Sequence, residues 1–182
     1  FAKVVAVLAE EGANVGAVDI VSATADRMVR DLTIDVQSEA HGEKVLTRVG
    51  TLEDVKVLSA SDRIFLLHLG GKIRMQSKFP VSTRNLLSMV YTPGVGRVSQ
   101  AIAKDKTKVH VFTSKGNSVA VVTDGSAVLG LGNLGPEAAL PVMEGKAMLF
   151  KELADIDAWP ICLNTQDPDE IVRTVQAIAP GF

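Results

Sequence analysis

The chain has 182 residues, enough for one domain or two small ones with a real hydrophobic core. Its 19 basic and 21 acidic residues leave a formal charge of −2, which gives no electrostatic reason to expect a nucleic-acid or anionic-membrane partner. Apolar residues make up 47% and aromatics only 4%, a balance that suits valine-rich strands and alanine-rich helices in an α/β architecture.

In chain order, the opening stretch reads as an amphipathic helix, with Phe1, Val4, Val5 and Leu8 on one face and Gly12-Ala13-Asn14 as its stop. Residues 15–21 are an apolar strand candidate. Residues 28–36 alternate, with Leu32, Ile34 and Val36 facing one way and Asp31, Thr33 and Asp35 the other. Val45, Leu46, Val49 and Leu52 have helical spacing, and residues 55–58 begin a further strand. With one strand added before Phe1, this order completes a βαββαβ unit of the ferredoxin-like kind over residues 1–66. Residues 67–81 read as a linker, and His68-Leu69-Gly70-Gly71-Lys72 within it as a flexible connector.

A second unit covers residues 82–182. A helix signal at Ser82 precedes Leu86, Leu87, Met89 and Val90, and Pro93-Gly94 then forces a turn beside Tyr91, the single tyrosine. Val95, Val98, Ala101 and Ile102 mark another helix, which ends in the charged run 104–108. Residues 119–122 are a continuous apolar strand closed by Thr123-Asp124-Gly125. A helix carrying Lys146, a short strand at 160–164 and a helix opened by Asp167-Pro168 complete the order. Strand and helix alternating in this way predict a small parallel sheet with covering helices.

Cys162 is the single cysteine and lies in the apolar run 159–163, so no disulfide framework exists within the chain. His41, His68 and His110 are scattered, which predicts no cysteine or histidine metal cluster. No apolar run reaches membrane-spanning length and no signal-peptide pattern opens the chain, so a cytoplasmic protein is expected.

Lys146 is the most suggestive residue in the helical pattern. At about 100° per residue, Val142, Met143, Leu149, Phe150 and Leu153 fall within about 60° of it, while Glu144, Lys151 and Glu152 fall on the far side. A lysine on a buried face is pushed toward its neutral form, in which an amine can act as a base. The alternative is a lysine that snorkels along the helix to water. Tyr91, on its rigid turn, carries a phenol that could supply a proton.

Gly130-Leu131-Gly132-Asn133-Leu134-Gly135 satisfies the dinucleotide pattern G-x-G-x-x-G. Its setting counts against that use: only three residues separate it from the Asp124-Gly125 turn, and Pro136 and Pro141 follow where a helix should open. Asp155 and Asp157 lie about twenty residues on, without a preceding strand to present an acid to a ribose. The glycines, Gly132 among them, read better as a loop that lets the backbone approach a bound ligand, with Asn133 in reach of it.

From about Ser82 onward the chain resembles the amino-terminal domain of the malic enzymes. The resemblance is carried by Leu87-Ser88-Met89-Val90-Tyr91-Thr92-Pro93-Gly94-Val95, Thr123-Asp124-Gly125-Ser126, Gly130-Leu131-Gly132-Asn133-Leu134-Gly135-Pro136 and Pro141-Val142-Met143-Glu144-Gly145-Lys146. By position it implies Tyr91 as general acid and Lys146 as general base. It also implies oxidative decarboxylation of malate to pyruvate and carbon dioxide with NAD or NADP and Mg²⁺ or Mn²⁺. An arginine that larger malic enzymes place in the glycine loop corresponds here to Ala127, which leaves Arg97, the metal or a neighbouring subunit to meet a substrate carboxylate.

The first unit resembles an ACT domain, a small regulatory module, through Ala2-Lys3-Val4 and Glu10-Glu11-Gly12-Ala13-Asn14-Val15-Gly16. That implies a site for a small-molecule effector and a homodimer or higher homo-oligomer. Both ends of the chain read as cut, so metal ligands and the dinucleotide-binding domain are expected beyond Phe182, and the fragment alone is expected to be inert. Two other readings stand beside this one: a non-catalytic metabolite-sensing or dimerisation fragment, and a nucleotide-binding module built on the loop at 130–135.

Overall fold

Leu8 and Val45 are the largest fully buried side chains, and the first of two structural units is built around them. The computed structural model describes all 182 residues and divides them into Phe1–Asp62 and Arg63–Phe182. In the first unit, α1 (Ala2–Glu10) presents Val7 and Leu8 inward. It is followed by β1 (Asn14–Ala23) and β2 (Met28–Asp35), an antiparallel hairpin with Val15 opposite Ile34 and Val18 opposite Leu32. α2 (Glu39–Gly50) begins at Ser38, whose hydroxyl accepts the N–H of His41. Val7, Leu8, Ala13, Val45 and Val49 form the core, with Val4, Leu32, Ile34, Leu52 and Val55 packed against it. The face of β2 assigned from alternation is thus the one that packs inward.

The strand expected at residues 55–58 does not form: no strand lies between α2 and the end of this unit. In a βαββαβ arrangement that strand pairs with a neighbour in the sheet, and the sheet of this unit holds only β1 and β2. Without a neighbouring ladder an extended segment has no partners for its backbone groups.

Charge also ties the two helices. Glu11, whose side chain is only 6% exposed, receives Lys44 at 2.7 Å and Arg48 at 2.5 Å, and Arg48 reaches Glu10 at 2.8 Å. Nε2 of His41 lies 2.9 Å from the Glu11 carbonyl.

In the second unit, α3 (Arg63–His68) leads by an irregular stretch to α4 (Arg84–Val90), capped by Thr83, and α5 (Val95–Lys104). A short α6 (Val109–Phe112) precedes β3 (Ser118–Thr123), α7 (Pro136–Ala154), β4 (Asp157–Cys162) and α8 (Pro168–Ile178). β3 and β4 are parallel, in register from Ser118 opposite Asp157 to Thr123 opposite Cys162. Parallel neighbours need a long crossover, and α7 supplies it. The Asp167 carboxylate caps α8 by accepting the N–H of Asp169, as its sequence position predicts.

Two boundaries differ from expectation. β4 begins three residues before Pro160, because the Asp157 N–H pairs with the Asn117 carbonyl at 3.0 Å and starts the ladder early. Proline is tolerated inside β4 because a two-stranded sheet leaves each strand one open edge. The interruption expected at Pro141 is also absent. α7 starts on Pro136, a favoured first-turn residue, and runs through Pro141 to Ala154. An interior proline costs a helix about 3 kcal/mol, here opposed by the burial of Ala139, Met143 and Ala147. No helix is long and apolar enough to cross a membrane.

The Glu11 carboxyl is held below its ordinary value near 4.5, chiefly by the hydrogen bond from Lys44 and further by Arg48, with partial burial opposing. A carboxyl whose pKa is lowered on folding stabilises the fold above its unfolded pKa, and loses that contribution as pH falls through the folded value. The Glu11→Gln variant should therefore melt below the parent protein at pH 7, and the gap should close as the pH drops below about 4.5. Thermal melts across that range check this; a gap independent of pH would assign the loss to packing instead.

Candidate functional site

The segment bearing Tyr91 is shaped by backbone crowding. Tyr91 ends α4, its N–H donating to the Leu87 carbonyl at 2.9 Å and its own carbonyl accepting from Val95 at 2.7 Å. The Thr92–Pro93 peptide is cis. Gly94 donates to the Ser88 carbonyl at 2.8 Å, and a Cβ at this position would sit 2.5 Å from the Met89 oxygen. Only glycine fits there, so the turn has one geometry. The Tyr91 side chain projects from it and is 66% exposed.

Lys146 lies on α7, but not on its buried stripe. The buried residues Ala139, Met143 and Ala147 form a row centred on Met143, about 60° around the helix from Lys146. The lysine is exposed, and so are Leu149, Phe150 and Leu153 beside it, Leu153 at 82%. This corrects the expectation of a lysine on the buried face. Small residues at 139 and 147 let that row, rather than the bulkier one, approach the sheet. Among these residues, the ammonium reaches water as the snorkelling alternative requires.

The loop between β3 and α7 is closed at its neck by Gly125, which is buried and has φ +71°. A Cβ on Gly125 would overlap the carbonyl of Gly135. The Gly125 carbonyl accepts the N–H groups of Leu134 and Gly135 at 3.3 and 3.2 Å. Inside the loop, Val128 donates to Gly132 at 2.8 Å and Leu131 to Val128 at 3.0 Å. Asn133 is exposed, with its carboxamide oxygen accepting from Gly135 and its nitrogen 3.3 Å from Gln166. Asp124 accepts the N–H and hydroxyl of Ser126, and these two hydrogen bonds hold its carboxyl below the ordinary carboxylate range.

The loop does open a helix and does follow a strand, contrary to the setting read from the sequence. Its hydrogen bonding still fits a pyrophosphate poorly. Leu131, Leu134 and Gly135 spend their N–H groups on loop carbonyls, Pro136 has none, and Glu137 places an acid in the first turn of α7. Asp157 does open a strand, yet it is held by Lys151 at 2.9 Å and Asn117 at 3.2 Å, which depress its pKa in that order. No group of three or more histidine, cysteine, aspartate or glutamate side chains is placed to hold a metal ion.

Arg97, on α5, is exposed and lines a hollow of about 380 Å³ with Met89, Gly94, Val98, Ala101 and Phe112. The turn glycine thus borders the arginine's hollow, while the Tyr91 ring does not line it. A second hollow, of about 410 Å³, is bordered by Glu137, Glu144, Trp159 and Cys162, and burial, with Glu137 nearby, raises the Cys162 thiol. No hydrogen bond or ion pair links Tyr91, Arg97, Asn133 or Lys146 to another of the four.

The segment expected to be a flexible connector is held in place instead. Gly71-Lys72 is docked on α7: the Lys72 N–H donates to Glu144 at 3.1 Å and its ammonium to the Pro141 carbonyl at 2.6 Å. The glycine pair had suggested a free connector, and a contact across 72 positions leaves no local trace. Gly125, which the sequence places only at the close of β3, also fastens the loop to the start of α7, a contact with no local signal.

The family model described as malic enzyme, N-terminal domain, matches residues 70–176. The NAD-dependent malic enzyme of Geobacillus stearothermophilus is 50% identical over 182 residues, which is all of this chain and 38% of that protein. The NADP-dependent malic enzyme of Escherichia coli is 45% identical over 112 residues, 62% of this chain and 15% of its own length. The crystal structure of an NAD-dependent malic enzyme from Thermotoga maritima matches with a TM-score of 0.64 at 52% identity, over 68% of this chain and 35% of that one. The chain spans well under half the length of the curated relatives it matches.

The loop's neck generates a ranking of two glycine substitutions. Gly132 has φ +81° but open space where a Cβ would go, so Gly132→Ala should cost only conformational strain, about 1 kcal/mol. Gly125→Ala adds a backbone clash to the same strain and should cost about 3 kcal/mol or more. Chemical denaturation of the two variants measures the difference; equal losses would show that the neck can open without penalty.

Proposed function

Since this chain belongs to the malic enzyme family, we propose that it is the amino-terminal part of a malic enzyme and carries that enzyme's acid and base. The observation that carries this is the family match over residues 70–176, which contains both Tyr91 and Lys146. The reaction is oxidative decarboxylation of malate to pyruvate and carbon dioxide. Acceptance of the hydride by NAD or NADP, and polarisation of the ketone by Mg²⁺ or Mn²⁺, belong on this reading to residues outside this chain.

Within the chain, Lys146 takes the proton of the C2 hydroxyl as hydride leaves C2, and Tyr91 returns a proton to C3 of the enolate formed by decarboxylation. Both tasks need side chains that project from fixed backbone, and this is how the two residues stand. A base must hold a lone pair ready for the proton it takes, and the amine of Lys146 on α7 can supply one. The loop around Gly132 and Asn133, with Arg97, is the proposed ground for the substrate carboxylates. Gly132 offers open space for a close approach, and Arg97 offers the positive charge.

The unit Phe1–Asp62 is proposed as the centre of an ACT-like domain, because its helix–hairpin–helix order and single core are what remain of a βαββαβ unit when its outer strands are removed. Effector binding there, assembly into a homodimer or larger homo-oligomer, and a cytoplasmic location complete the reading.

Two substitutions in the intact enzyme test the assigned roles. Lys146→Ala should lower turnover by about 10² to 10⁴ with unchanged far-UV circular dichroism. Turnover within threefold of the parent would remove Lys146 from the mechanism. Tyr91→Phe keeps the ring but not its proton, so exchange of the pyruvate methyl hydrogens with deuterated solvent, followed by NMR in the presence of metal, should collapse. Exchange at the parent rate would leave Tyr91 a brace for its turn.

A further inference from the structure

We propose that Lys72 is a positioning residue for Lys146: it clamps the turn of α7 from which the base projects. The inference rests on the assignment of Lys146 as base. Its structural content lies in two grips placed on one helical turn. The Lys72 ammonium donates to the carbonyl of Pro141 at 2.6 Å, and its backbone N–H donates to the Glu144 carboxylate at 3.1 Å. Pro141 and Glu144 are one turn apart, and Lys146 follows two residues later.

The ammonium is oriented in turn by His68, whose Nε2 lies 2.8 Å from it. Nδ1 of the same ring is 2.7 Å from the Ile64 carbonyl, which can only accept. The ring hydrogen is therefore on Nδ1, and Nε2 offers its lone pair to the lysine. Gly71 leaves room for the clamp, while Gly145 sits in ordinary contact with it. A Cβ at Gly71, where φ is +81°, would lie 2.8 Å from the Glu144 carboxylate, and one at Gly145 would lie 3.6 Å from the Lys72 ammonium.

The place of the clamp follows from the chemistry of proline. Pro141 has no N–H to give the Glu137 carbonyl, so α7 lacks a backbone tie at this level. A side chain that holds Pro141 and a backbone group that holds Glu144 restrain the helix at its weak point. Lys146 is long and exposed, so its reach into a reaction depends on where the backbone beneath it stands. A displacement of about 1 Å is enough to cost on the order of 10²-fold in rate.

In the intact enzyme, Lys72→Met should lower kcat by about 10- to 100-fold and change the KM for malate less than threefold, since the substrate's own contacts remain. Lys72→Arg, which keeps a cation able to reach the Pro141 carbonyl, should recover most of the loss. Added to Lys146→Ala, the Lys72→Met substitution should cost nothing further, because a residue acting through the base has no effect once the base is gone. An additional loss of the same factor in the Lys146→Ala background, or a kcat within twofold of the parent for Lys72→Met alone, overturns the proposal. Should Lys146→Ala itself prove fully active, the base assignment fails, and the clamp is judged by hydrogen exchange. Faster exchange of the amides of residues 143–147 in Lys72→Met, with unchanged circular dichroism, upholds the clamp, and unchanged exchange overturns it.

Discussion

The close approach of Gly125 to Gly135 governs the second unit. No side chain fits between them, and the Gly125 carbonyl holds two N–H groups from the far side of the loop. The end of β3 is thereby fastened to the start of α7. Because α7 is also the crossover between the two parallel strands, its place over the sheet is fixed from the same point. Gly94 plays an equivalent part at the Tyr91 turn, where the oxygens of Ser88 and Met89 crowd out any Cβ. Rigidity is thus obtained from backbone contacts, which leaves the phenol of Tyr91 and the amine of Lys146 free to face outward.

An outward lysine amid apolar neighbours is an unfinished arrangement in physical terms. Val142, Leu149, Phe150 and Leu153 surround Lys146 on the helical wheel, and the last three are exposed. Contiguous apolar surface of this kind is more than a solvated helix face needs. A reaction at Lys146, as proposed, would gain from the exclusion of water, which strengthens the local electrostatics. The exposed apolar side chains and the exposed lysine are therefore consistent features, and each supplies a reason for the other.

Much of this was legible in the sequence where the determining forces are local. The alternation of β2, the Asp167 cap of α8 and the turn at Pro93-Gly94 all depend on residues a few positions apart, and each forms as predicted. Strand formation at residues 55–58 depends on a distant partner, and the extended propensity of the segment could not supply one. The helical period correctly grouped the apolar residues of α7, but the period alone cannot say which half of a wide apolar face is buried. That was decided by the small side chains of Ala139 and Ala147 and by the sheet they approach. The Lys72 contacts were the least visible, since they join segments about seventy residues apart and their glycines look like flexibility.

The loop at 130–135 shows how a pattern of residue types can match while the physics differs. The dinucleotide fingerprint works because its glycines free a row of N–H groups to point at phosphate oxygens from a helix start. Here a strand, the three glycines and a helix stand in the required order. The loop turns its N–H groups inward instead: Val128, Leu131, Leu134 and Gly135 all donate to carbonyls of the same loop. Proline at the first position of α7 removes another donor, and Glu137 adds negative charge where a phosphate would lie. The glycines serve compaction, Gly125 and Gly135 at the neck, which makes the loop a fixed support for α7 and leaves Gly132 and Asn133 as its accessible tip.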